Sequence, residues 1–334
     1  MRRPRPDSPD TVRRRLAAAA LTAPLWMPAA ARAQADTYPN KPLRFIVPLG
    51  PGSGADSTTR FLADRTSAIL GQPAIAENRP GADMLIAVQS LLGAPPDGHS
   101  ILMLSPSAVV INPVLQKDLP YDAQKDIRPL ATITRSFAVF VTRPDGPLTS
   151  MKDVVDAARV GPGRVSMSNY GHHYRLGAIS LERPLGIKFN HVAYKGAAQA
   201  INDVIGGTID VALTDMTGAL PLIQGGKLRP LAVTGRARHP RLPDVPTVAE
   251  TVLPNYDLYV WIGFGVHGKT PDPIARKLEA ALIQAIRSPE YAKYNAEQGA
   301  SEIVGSGGEQ LAALIASETE RYRTLVRQID ADPK

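Results

Sequence analysis

Val47-Pro48-Leu49-Gly50-Pro51-Gly52-Ser53-Gly54-Ala55-Asp56 is the stretch on which the fold turns. A short apolar run, Leu43 to Val47, stands before it, and Ser57 to Arg65 after it has a helical pattern. A Gly-rich turn between strand and helix leaves several backbone N–H groups close together. The positive end of the helix dipole points at the same spot, so a small anion can dock there. Leu49, Gly52, Ser53, Gly54, Ala55 and Asp56 are the candidate residues for it. Neither nucleotide motif is present. A P-loop needs Gly-Lys-Ser/Thr, whereas Gly54 is followed by Ala55 and Asp56; a dinucleotide fingerprint needs a third Gly, whereas 55 is Ala and 57 is Ser. The alternative is a plain tight turn with Ser53 or Asp56 as helix cap. Asp56 would repel a carboxylate, so it reads as a residue that fixes the loop rather than a ligand contact.

Outward from this stretch the pattern alternates strands and helices. Ala74–Glu77, Ile101–Leu104, Phe137–Val141, His191–Tyr194, Ile209–Leu213 and Leu228–Thr234 read as strands. The helix after the first strand carries Thr58, Phe61, Leu62 and Ile69 on one face and stops at Gly71. Pro80-Gly81-Ala82 turns the chain into a second helix, whose inward side is Leu85, Val88, Leu91 and Leu92. Ser150 to Asp153 has capping-box spacing. Ile274, Leu278 and Leu282 make an i, i+4, i+8 stripe near the C-terminus. Short buried strands between helices argue for an α/β protein with a parallel sheet covered on both faces.

The first 35 residues stand apart. Arg13-Arg14-Arg15 precedes a mildly apolar run, and Ala31-Arg32-Ala33 and Ala33-Gln34-Ala35 resemble cleavage sites. That is the layout of an export signal, by the secretory or the twin-arginine route, with cleavage after Ala35. The segment holds seven Arg and two Asp, so the remaining 299 residues carry 31 basic and 29 acidic side chains, a net of +2. A charge of that size is no nucleic-acid footprint. The chain has no cysteine, which excludes disulfides, thiolate metal sites, cysteine nucleophiles and a lipid-anchored cysteine.

The words of the chain resemble a known family. Tyr38 to Arg44, Glu77-Asn78-Arg79-Pro80-Gly81-Ala82, Pro96-Asp97-Gly98, Leu119-Pro120-Tyr121-Asp122, His191 to Gly196, Gly206 to Asp210, Gly226 to Thr234, Leu242 to Thr247 and Trp261-Ile262-Gly263 stand in family order. They are similar to the Bug receptors, the extracytoplasmic solute-binding proteins of the tripartite tricarboxylate transporter type. The resemblance implies a two-domain periplasmic binding protein of type II, a Venus-flytrap, with each domain a mostly parallel sheet flanked by helices. It implies domain 1 from residues 36–140 plus 260–334 and domain 2 from 141–259, with crossing strands near Val139 and Trp261. The implied partners are a small organic acid and the membrane permease subunits of such a transporter. A monomeric periplasmic receptor needs no cofactor, metal or nucleic acid.

The family reads F-P-P-G-G-G-T-D where this chain has Leu49 to Asp56. At a second ligand loop it carries a small G-x-G-S element, whereas here Tyr170 and Gly171 lead into His172, His173 and Tyr174. Thr214, beside Asp215, stands where many members have Asp. Ser105 and Ser107 follow the third strand, whose carboxyl end should face the cleft. Lys195-Gly196 opens a helix and makes either a second anion nest or a simple turn. One of the two histidines donates to the ligand anion, or both are exposed polar rings on a surface loop. Adjacent residues seldom aim both rings at one ion, which argues against a metal. No G-x-S-x-G elbow is present. A sensor docking on a membrane kinase, or an enzyme acting on an acidic metabolite, are the alternatives.

Overall fold

The computed structural model describes residues 38–116, 118–298 and 302–330. The export segment and its cleavage sites lie outside the described residues. β1 (Leu43–Val47) pairs in parallel with β2 (Ala74–Asn78) on one side and β3 (Ser100–Leu104) on the other. Phe45, Ile46, Ile101 and Leu102 are fully buried, because a parallel strand between helical layers meets apolar side chains on both faces. α1 (Gly54–Leu70) follows β1, and α2 (Leu85–Leu92) precedes β3. α1 buries Thr58, Thr59, Leu62, Ala63 and Thr66. Ile69, expected on that face, is instead exposed in the last turn. Gly71 stops the helix in the left-handed conformation, φ 70°.

A second set of parallel strands has β5 (Ser166–Asn169) between β6 (Asn190–Ala193) and β7 (Val211–Asp215). α3 (Met151–Arg159), α4 (His172–Leu185), α5 (Ala197–Ile205) and α6 (Met216–Gln224) belong to this lobe. Ser150 Oγ accepts the Asp153 N–H at 3.2 Å, but the Asp153 carboxylate turns to the Thr149 N–H at 2.9 Å, so the expected capping box closes one residue early.

One strand joins the two lobes. Only Phe137–Val141 was legible in the sequence, yet β4 runs Ile127–Thr142. Its first part pairs antiparallel with β9 (Tyr259–His267), up to Phe137 against Tyr259; from Ala138 on it pairs antiparallel with β7. β10 (Glu302–Gly307) adds to the first part and β8 (Arg229–Val233) to the second. The strand order is β2-β1-β3-β9-β4-β7-β5-β6, parallel in each lobe and antiparallel where the chain crosses. α7 (Asp272–Ile286), α8 (Pro289–Gln298) and α9 (Gly308–Asp330) return the chain to the first lobe. α7 buries the expected Ile274, Leu278 and Leu282. From Pro39 on, the described residues pack as one compact unit. Among the described residues no helix is long and apolar enough to cross a membrane.

Candidate functional site

Asp56 builds the first loop. Its carboxylate accepts the Gly52 N–H at 3.1 Å and Asn78 Nδ2 at 2.8 Å, and it pairs with Arg60 at 3.0 Å, while the residue is only 4% exposed. Gly52 holds φ 85°, where only glycine sits without strain. Ser53, not Asp56, is the N-cap: its Oγ accepts the Asp56 N–H at 3.1 Å. The Ser53 carbonyl takes the Ser57 N–H. The N–H groups of Gly54 and Ala55, the first two of the helix, therefore have no intrahelical acceptor and lie at the positive end of the dipole.

The second lobe approaches with α4. His172, His173 and Tyr174 form its first turn rather than a loop, after Gly171 at φ 88°. The surface-loop alternative therefore fails. His173 is 2% exposed; its N–H donates to Ser107 Oγ at 3.0 Å and its Nδ1 stands 3.0 Å from the Tyr322 hydroxyl of α9. Burial, reinforced by the Arg321 charge and opposed by the Tyr259 carbonyl, pushes the His173 imidazole down to about 3, so the ring is neutral. Tyr170 donates to Asp215 Oδ2 at 2.6 Å and lies 3.0 Å from Thr214 Oγ1. Burial, with the Asp215 charge, raises this phenol well above its ordinary range and keeps it a donor. Asp215 Oδ1 caps α6 by accepting the Gly218 N–H at 2.7 Å.

A strained turn meets α4 from the first lobe. Ala82, Asp83 and Met84 hold φ values of 46°, 49° and 74°, directly after Gly81 at 119°. A side chain in this left-handed region costs about 1–2 kcal/mol per residue, so neighbouring contacts must hold it. Asn112 Nδ2 donates to the Asp83 carbonyl at 2.7 Å, which turns Asn112 Oδ1 toward His172 Nδ1, also 2.7 Å away. His172 Nδ1 is then the donor, and Nε2 faces the Asp83 carboxylate at 3.3 Å. Burial lowers the His172 pKa, Asp83 pulls the other way, and Arg175 adds to the lowering. The sequence reading ran this segment straight into α2. The structure starts α2 at Leu85 and buries Ala87, Val88 and Leu91.

Between the lobes lies a cavity of about 50 Å³. Of the expected residues, Leu49, Gly54, Ala55, Ser105 and Ser107 line it from the first lobe, and His173 and Asp215 from the second. Gly52, Ser53 and Asp56 support the first loop without lining the cavity; Tyr170, Gly171, His172 and Thr214 hold the second-lobe side in the same way. Lys195 and Gly196 also stand off the cavity. The Lys195 side chain is exposed and its carbonyl accepts the Gly50 N–H at 3.3 Å, which ties the lobes together. Closure is tight at Gly54, where a Cβ would lie 2.3 Å from Asp215 Oδ1 and 2.5 Å from Thr217 Cβ.

Met84, Met103, Val260 and Ile262 give the cavity apolar walls, and no Lys or Arg is among its described lining residues. Sequence reasoning missed all four, together with Thr134, Ser136 and Thr217. Val260 and Ile262 had a signal in the period-two alternation along β9, which puts both on one face. Met84 had none, since nothing in its composition announces a left-handed turn.

The chain also has known counterparts. Residues 58–331 match the family described as the tripartite tricarboxylate transporter family receptor. The protein BugT of Bordetella pertussis is 30% identical over 91% of this chain and 94% of its own length. The structure of the periplasmic binding protein BugD superposes with a TM-score of 0.83 at 26% identity, covering 89% of this chain and 100% of BugD. Rpa4515 of R. palustris, solved with adipate, gives a TM-score of 0.82 at 25% identity over 87% of this chain and 97% of its own. The chain belongs to the tripartite tricarboxylate transporter receptor family and has the two-domain α/β fold of periplasmic binding proteins.

Proposed function

We propose that the chain is a periplasmic receptor that captures a small organic carboxylate between its lobes and delivers it to the permease subunits of a tripartite tricarboxylate-type transporter. It binds its ligand without transforming it, and acts as a monomer after cleavage of the export segment. The crossing of β4 at Phe137–Ala138 and the return at Tyr259 support a division into residues 36–140 plus 260–334 and residues 141–259.

One observation carries the reading. The free amides of Gly54 and Ala55 stand at the head of a 17-residue helix, at a cavity lined by residues of both lobes. Desolvating a carboxylate is costly unless donors replace its water, and a helix N-terminus supplies such donors without a buried cation. Adipate in Rpa4515 supports the ligand class. Hinge closure over the acid would give selective capture.

A thermal-shift and calorimetric screen of short carboxylic acids tests this. Stoichiometric binding with a raised melting temperature and no product is the expected result. Turnover of an acid, or no acid shifting the melting point, refutes it.

A further inference from the structure

We propose that Met84 is the residue that limits the size of the ligand: its side chain plugs the cavity and restricts the receptor to short monocarboxylates. The inference rests on the receptor reading above. Met84 is 4% exposed and lines the cavity beside the residues that offer the anion its donors. Its sulfur accepts from Ser105 Oγ at 3.1 Å, and its terminal methyl would lie 3.2 Å from a Cβ placed on Gly171. The side chain thus stands between the first lobe and the second, in the space the lobes enclose.

That position is imposed. Met84 closes a run of three consecutive non-glycine residues at positive φ. The run is held by Asn112 on the Asp83 carbonyl and by His172, whose Nδ1–H donates to Asn112 Oδ1. His172 comes from the second lobe, so closing the lobes grips the turn that presents Met84. What remains is about 50 Å³, room for a few water molecules. An acid that enters must displace something. Met103, Val260 and Ile262 sit on β3 and β9, inside the packed sheet, and have little freedom to move. Met84 is unbranched and flexible, the side chain best able to yield by a little and no further.

The chemistry of the ligand follows from the same walls. The described lining offers the amides of Gly54 and Ala55, and no Lys or Arg. Asp215, the acidic lining residue, is engaged by the Tyr170 hydroxyl and the Gly218 N–H and supplies no donor. A single carboxylate with a compact apolar tail fits this set.

Calorimetric titration of the purified chain with acetate, propionate, butyrate, hexanoate and octanoate tests the proposal, alongside Met84→Gly, Met84→Ala and Met84→Leu. The wild type and Met84→Leu, which keeps the bulk, should lose at least about tenfold in affinity between butyrate and hexanoate. Met84→Gly should abolish that step, and Met84→Ala should do the same if the glycine variant does not fold. A wild type without the step, or a step that survives in the small-side-chain variants, overturns the plug while leaving the receptor reading intact. Binding of no acid by any variant overturns the receptor reading and the plug with it.

Discussion

His173 should make the fold sensitive to mild acid. Its imidazole is 2% exposed, wedged between Ser107, Tyr174 and Tyr322 with the Arg321 charge nearby, and burial pushes its pKa from 6.5 down to about 3. In the unfolded chain the ring takes up a proton as pH falls through about 6.5; in the folded chain it resists until near 3. The unfolded state therefore binds more protons throughout that window. Stability is fully present above it and is lost as pH drops. The two pKa values give a loss of about 2 kcal/mol between pH 7 and pH 5 from this residue alone. The perturbation is His173→Asn, whose side chain keeps a hydrogen-bonding atom near the Nδ1 position but does not titrate. The assay is urea unfolding followed by tryptophan fluorescence at both pH values, for both proteins. Every other titrating group contributes to both, so the difference between the two pH slopes isolates His173. The wild type should lose about 2 kcal/mol more than the variant on going to pH 5. Equal losses would refute the buried neutral imidazole.

Gly54→Ala would drive a methyl into Asp215 and Thr217 across the cleft, so the lobes cannot shut. Acid affinity should fall at least about tenfold by calorimetry, with a melting temperature of the ligand-free protein close to wild type. Asp56→Asn should cost about 1–3 kcal/mol in urea unfolding, because a buried acceptor for Gly52, Asn78 and Arg60 gains a donor that faces donors. His172→Ala should lower stability by about 1–3 kcal/mol in the same assay, since Asn112 Oδ1, in a fully buried residue, is left without its partner.

The first loop was largely legible because its physics is local. A glycine-rich turn after an apolar strand marks a helix start, and Ser53 caps that helix by accepting the N–H of Asp56 three residues on. The long strand β4 was half hidden. Arg128, Pro129, Thr132, Thr134, Arg135 and Ser136 break the apolar pattern, yet β9 and β10 pair with that part of the strand from far along the chain. The histidines were misplaced for a similar reason. Two adjacent polar rings suggest a surface loop, and only Ser107, Asn112 and Tyr322, distant in sequence, supply the partners that let His173 be buried and His172 half-buried in a helix.

The sequence by itself determined the family, the strand–helix alternation and the capped glycine-rich turn after the first strand, because each is written in short-range order: hydrophobic period, glycine placement and capping residues. The tertiary structure alone decided which residues share the cavity, that His173 is buried, and that Met84 lines the space between the lobes. Those depend on which distant groups exclude water from one another, and burial is a property of the assembled lobes that no short stretch of chain contains.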